Sequence, residues 1–192
     1  MLILASASPR REALLRQIGA SFRVMAKEAE ELTGSEFSPE ALVEENARRK
    51  ALAALPHAGG LPVLAADTVV ALDGEIFGKP QGEAEAMHML ERLSGRRHAV
   101  YTGVVMAALG RLEVAAAKTI VEFAPLTRDA IRRYVATGEP LDKAGAYAVQ
   151  GRAAAFITRI EGSFSNVVGL PLHLTAVLAE RAGIDLYDHD GA

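Results

Sequence analysis

The chain contains no cysteine. That excludes disulfides, thiolate metal sites and a thiol nucleophile. Tryptophan is absent too, and only 5% of the residues are aromatic. The core must therefore be built from Ala, Val, Leu and Ile. No run of 18 or more uncharged apolar residues occurs, so no membrane-spanning helix is expected. A basic excess is also missing: 21 Lys and Arg stand against 24 Asp and Glu, for a net charge of −3. A general nucleic-acid or membrane-surface binder would normally show the opposite balance. There is no GxxxxGK[ST] phosphate loop, GxGxxG, GxSxG or HExxH motif. The five histidines, at 57, 88, 98, 173 and 189, are scattered, so no histidine metal site or triad is evident.

What is present suffices for a folded core. The 192 residues are 50% hydrophobic and 23% charged. That length suits one domain, or two closely fused lobes. Residues 1–5 are apolar, but no basic region precedes them and Arg10-Arg11 follows. They read as a first strand and not as a signal peptide, with the cytoplasm as the default location.

Ser8 and Pro9 suit an N-cap and first helical position, Leu14, Leu15 and Ile18 an apolar face, and Gly19 a stop. A second helix is expected from Ser38-Pro39 to about Leu55, after an acidic stretch over 27–36. Residues 62–66 read as a buried strand. Residues 69–72 and 75–77 read as a hairpin around Asp73-Gly74. A helix over 83–93 and two long antiparallel strands, 98–109 and 112–123, follow. A helix over 127–137, a strand over 153–160 and a helix over 171–182 complete the pattern, with a polar tail from 185 to 192. Hairpins interrupt the strand–helix alternation, which predicts a mixed sheet flanked by helices.

Four segments carry candidate chemistry. At Ser6-Ala7-Ser8-Pro9-Arg10-Arg11, two arginines sit at a helix N-terminus, the wrong sign for intrinsic helix stability. A bound anion such as phosphate resolves that conflict. The plain alternative is a serine cap followed by solvated arginines. Lys50 shares a helical face with Val43, Ala47 and Ala54, so it either snorkels at the edge or points into a cleft. Asp67 sits where one apolar strand ends and the next begins, and needs a cation, a metal or an open site. Otherwise it is a turn residue. Residues 140–151, with their glycines and Gln150, suggest backbone held close to a ligand, or an ordinary connecting loop. Residues 163–172 look like a further ordered loop. Lys79, in Gly78-Lys79-Pro80, and Glu30 and Glu31, in the acidic stretch, are weaker signals.

Together these segments resemble the Maf family of nucleoside triphosphate pyrophosphatases. The resemblance runs from Leu2 to about Leu172. It is carried by Ala5-Ser6-Ala7-Ser8-Pro9-Arg10-Arg11, Glu31, Ala47 with Lys50-Ala51, Ala66-Asp67-Thr68 and Gly78-Lys79-Pro80. It continues through Leu93-Ser94-Gly95, Tyr101-Thr102-Gly103, residues 139–147, Gln150-Gly151 and residues 166–171. The resemblance implies an elongated α/β domain over 1–192, similar to inosine triphosphatases, with two lobes around a central cleft. It implies hydrolysis of a nucleoside triphosphate to the monophosphate and pyrophosphate. Asp67 would be the general base or a metal ligand, and Glu31 and Asp67 would hold Mg²⁺ or Mn²⁺; Glu45 could join them. Arg10, Arg11, Lys50 and Lys79 would stabilise the polyphosphate, with Ser8 holding phosphate oxygens. Arg10, Thr68 and Gln150 resemble the dTTP/UTP branch of the family and not the branch acting on 7-methyl-GTP, so Thr68 and Gln150 would read the base. A homodimer is suggested by the resemblance alone. The family's association with septum formation offers a second expectation, a regulatory protein in cell-division arrest, and a third is the same chemistry on modified nucleotides.

Overall fold

A computed structural model describes residues 1–33 and 36–187. Part of the expected polar tail, 188–192, lies outside the described residues, as do two residues of the acidic stretch. The strands are β1 (Leu2–Leu4), β2 (Phe22–Val24), β3 (Val63–Leu72), β4 (Glu75–Phe77), β5 (Arg97–Ala108), β6 (Arg111–Phe123) and β7 (Ile157–Glu161). The α-helices are α1 (Pro9–Gln17), α2 (Pro39–Ala54), α3 (Glu83–Leu93), α4 (Arg128–Val135), α5 (Phe164–Val168) and α6 (Leu172–Arg181).

One mixed sheet runs in the order β2-β1-β3-β5-β6-β7, with β4 added beside β3. The β2-β1-β3 part is parallel and the rest antiparallel. Strands β5 and β6, of 12 and 13 residues, span about 40 Å each. Their hairpin turns at Leu109 (φ 51°) and Gly110 (φ 74°), and the β3–β4 hairpin at Asp73 (φ 52°) and Gly74 (φ 82°). Two positive φ angles in succession match the right-handed twist of the strands they join.

The long strands pass through two lobes. In one, Leu64, Ala66, Val104 and Met106 pack with Leu14, Leu15, Leu178 and Ala179 from α1 and α6. In the other, Val70, Val100, Val121 and Phe123 pack with Leu90, Leu93, Ile131 and Tyr134 from α3 and α4. The opposite face of the sheet carries α2. Its Ala47, Ala51 and Ala54 meet Val63, Ala65, Val105 and Ala107. Small residues on both sides bring this helix close to the sheet.

Three expectations need correction. Residues 62–66 and 69–72 are not separate strands: β3 is continuous, and Asp67 lies in its middle. What breaks is the neighbour. On one edge β3 pairs with β5 from Val63 to Ala71. On the other, β1 reaches Val63 and Leu64, and β4 starts again at Val70. Between them β3 has no strand partner on that edge among the described residues. The expected strand over 153–160 begins as a 3₁₀ turn, Arg152–Phe156, and only then becomes β7. Residues 163–172 are not merely a loop but hold α5, capped by Ser163. The short strand β2 carries no expectation from sequence; its pairing with β1 defines it.

Buried in the second lobe, His98 sits edge-on to Phe123 and Tyr147, with Nε2 at 2.9 Å from the Tyr147 hydroxyl. Among the described residues its Nδ1 has no hydrogen-bond partner. Burial lowers its pKa from 6.5 to about 4. Above 6.5 neither folded nor unfolded chain protonates this ring. Between 6.5 and 4 only the unfolded chain does, so stability falls as pH falls, by about 3 kcal/mol in all. Thermal melts from pH 7 to 4 test this: His98→Gln should flatten the slope. An unchanged slope would assign the acid sensitivity to other groups.

Candidate active site

The unpartnered edge of β3 opens into a cleft of about 1140 Å³ between the lobes. Strand geometry decides how the cleft is lined. Successive side chains of β3 point to opposite faces, so Asp67 projects toward α2 and Thr68 toward α1 and α5. The two residues straddle the strand.

On the α2 face, Lys50 Nζ lies 2.6 Å from Asp67 Oδ1 and 2.8 Å from Glu31 Oε1. The lysine points inward and does not snorkel. Asn46, one turn earlier on the same helix face, donates to Asp67 Oδ2 at 3.3 Å. The same amide accepts from the Leu32 N–H at 2.7 Å and donates to the Leu32 carbonyl at 3.1 Å. Asn46 thus ties the loop bearing Glu31 to the strand bearing Asp67. Sequence reasoning missed it, although its i, i+4 spacing from Lys50 was a usable signal. Close packing of α2 depends on Gly103, the residue opposite Asp67 in β5. A Cβ there would overlap the Val43 carbonyl and lie 2.7 Å from the Glu44 nitrogen. Glu45 does not join the carboxylates: it pairs with Arg49 at 3.1 Å and Arg48 at 3.6 Å.

On the Thr68 face, Arg11 is partly buried and spreads over three neutral oxygens. Nε donates to the Gly169 carbonyl at 2.8 Å, Nη1 to Ser6 Oγ at 3.0 Å and Nη2 to Thr68 Oγ1 at 3.1 Å. Among the described residues it has no ion-pair partner. Desolvation lowers its pKa, and the charge of Asp67 opposes this. Thr102 Oγ1 donates to the Asn166 carbonyl at 3.1 Å, so it accepts from Thr68 Oγ1 at 3.0 Å. The Thr68 hydroxyl therefore has its donor and one acceptor position in use. Toward a ligand it can accept but not donate.

Ser8 occupies the N-cap of α1, yet its side chain makes no cap bond and remains available. Arg10 reaches to 3.8 Å from Asp142 across the cleft. Lys143, beside Asp142, donates to the Glu139 carbonyl at 2.8 Å and adds a cation that sequence reasoning had left inside a motif without a role. Lys79 and Gln150 are exposed on the cleft wall. All nine expected site residues line this one cleft: Ser8, Arg10, Arg11, Glu31, Lys50, Asp67, Thr68, Lys79 and Gln150.

The fold is similar to that of two solved structures of Ham1 proteins. The Staphylococcus aureus protein aligns with a TM-score of 0.52 at 20% identity, over 94% of this chain and 98% of that one. The Coxiella burnetii protein gives 0.53 at 20%, over 94% and 100%. At that identity the likeness speaks to the fold alone, a mixed sheet flanked by helices as expected above. Sequence relatives are nearer. A Symbiobacterium thermophilum protein named dTTP/UTP pyrophosphatase is 52% identical over 186 residues, covering 97% of this chain and 96% of its own. One of the same name from Pelotomaculum thermopropionicum is 49% identical over 187 residues, covering 96% and 98%. A match to the family described as Maf-like protein extends over residues 1–182, from the first strand through the last helix. With the cleft residues in place across that whole span, the chain belongs to the Maf-like protein family.

Proposed function

We propose that this protein hydrolyses dTTP and UTP to the nucleoside monophosphate and pyrophosphate, in the cytoplasm, where nucleoside triphosphates are held. The observation that carries the reading is Arg11. A partly buried guanidinium resting only on neutral oxygens is a cation in need of an anion. Arg10 and Ser8 lie on the same helix end, where backbone dipoles also favour negative charge. A polyphosphate answers all of these groups at once. Relatives at about half identity bearing the dTTP/UTP pyrophosphatase name support the same substrate class.

The opposite face supplies what hydrolysis needs. Asp67 has one oxygen on Lys50 and the other on Asn46, which holds the carboxylate in one orientation. In that position it takes a proton from water attacking the α-phosphorus, or binds a cation that makes the water acidic. Lys50 and Lys79 balance charge building on the leaving pyrophosphate. Gln150, with one donor and one acceptor, suits the O4 and N3–H edge of thymine or uracil.

The donor set fits a divalent metal brought by the substrate. Among the described residues no group of three or more His, Cys, Asp or Glu converges. Two carboxylates, Glu31 and Asp67, do share a site through Lys50. Mg²⁺ uses one or two carboxylates when phosphates and water complete its shell. Bound there, it would supply Lewis-acid charge at the phosphates.

A panel of nucleoside triphosphates with pyrophosphate detection tests the reading. dTTP and UTP should be the preferred substrates, and no release from either would overturn it. EDTA should stop turnover and Mg²⁺ or Mn²⁺ restore it. Full activity in chelator would remove the metal from the proposal.

A further inference from the structure

Gln150 has no hydrogen bond of its own among the described residues, so its position is set entirely by its backbone. That backbone is held at two points, Ala148 and Arg152, two residues to either side. Both points lead to one pair, the buried Tyr134 and the half-buried Glu139. The Ala148 N–H donates to the Tyr134 hydroxyl at 3.2 Å. The Tyr134 hydroxyl donates to Glu139 Oε1 at 2.9 Å. The Arg152 N–H donates to both Glu139 oxygens, at 3.0 and 3.2 Å. The carboxylate is also pressed against Gly151. A Cβ at that position would overlap Oε1 and lie 2.7 Å from Oε2. One side chain thus closes the segment 139–152 at its base, with Gln150 on its rim.

We propose that Glu139, with Tyr134, is a positioning residue for base selection: it touches no nucleotide, but sets where the Gln150 amide stands. This deepens the proposed function and rests on Gln150 reading the base. The chemistry favours a carboxylate over an amide. Three bonds converge on the Glu139 carboxylate, and each partner there is a donor. A glutamine with its oxygen at the Oε1 position would still accept from both donors, but its NH₂ would replace Oε2 and face the Arg152 N–H as a second donor, and the negative charge that strengthens these bonds would be gone. Tyr134 keeps its proton, because burial and then the Glu139 bond both raise its pKa.

The test is a kinetic cycle on full-length protein with UTP and CTP, which differ at the 4-position of the ring. Wild type, Glu139→Gln, Tyr134→Phe, Gln150→Ala and the double variant Glu139→Gln/Gln150→Ala are compared, with folding checked by circular dichroism. Glu139→Gln should lower kcat/KM for UTP by about ten- to hundredfold. CTP turnover should change less, so that the UTP preference shrinks. Tyr134→Phe should act in the same direction. The double variant should be no worse than Gln150→Ala alone. Equal losses on UTP and CTP, multiplying in the double variant, would overturn the role of Glu139 while leaving Gln150 as reader. A Gln150→Ala enzyme that kept the full UTP preference would overturn the base-reading premise, and this role with it.

Discussion

Asp67→Asn is expected to lower pyrophosphate release from dTTP by about 10²–10⁴-fold, the range for losing a positioned proton acceptor, while the protein stays folded. Breaking one partner out of a buried ion pair often costs several kcal/mol, because the survivor is left uncompensated. Here the survivor is Lys50, and Glu31 remains 2.8 Å away to hold it. The variant also keeps the shape and an acceptor oxygen at position 67. The effect should therefore fall mainly on turnover, with a much smaller drop in melting temperature because the new NH₂ faces the Asn46 donor. A pyrophosphate assay run beside a thermal melt separates the two. Turnover within a few-fold of wild type would take Asp67 out of the chemistry.

Gly103→Ala should have the second large effect, through the opposite route. The added methyl meets backbone of α2, the Val43 carbonyl and the Glu44 nitrogen, and not the end of a flexible side chain. Backbone cannot rotate aside, so the helix must lift from the sheet. Overpacking of this kind costs about 1–3 kcal/mol, occasionally more. Activity should suffer beyond that, since Asn46 and Lys50 ride on α2 and both reach Asp67 from it. The expected result is a lower melting temperature together with reduced kcat at temperatures where the variant is still folded. An unchanged melt would mean that α2 has slack the geometry denies.

Much of this was legible from the residues, because local signals and tertiary structure agree. Serine caps with a following proline mark the starts of α1 and α2. The apolar residues Ala86, Met89, Leu90 and Leu93 mark one face of α3. The failures share a cause. Asp67 looked like a break between strands because a carboxylate in an apolar run has no local remedy. Its remedy comes from 17 and 21 residues away in sequence, as Lys50 and Asn46. The run at 153–156 looked extended, but it turns so that the segment bearing Gln150 can close on Glu139. Gly103 stood within the Tyr101-Thr102-Gly103 motif, but its packing role was not legible, since the atoms it avoids belong to a helix far away in sequence. Individual site residues were recognisable by type; the bonds that orient them were not.

The missing neighbour along the middle of β3 also bears on how products leave. Under the proposed function, a triphosphate in that notch would be gripped from both faces of one strand, by Arg11 and the Thr68 side and by Lys50 and the Asp67 side. While the triphosphate is whole, each grip raises the effective concentration for the other, so the two together exceed either alone. Cutting the ligand removes that linkage. Under the proposed reaction, neither the monophosphate nor pyrophosphate can profit from both grips as the intact molecule does. On that proposal the same gap in the sheet would turn an avid, two-sided guest into two weakly held ones, and bond cleavage itself would become the signal for release.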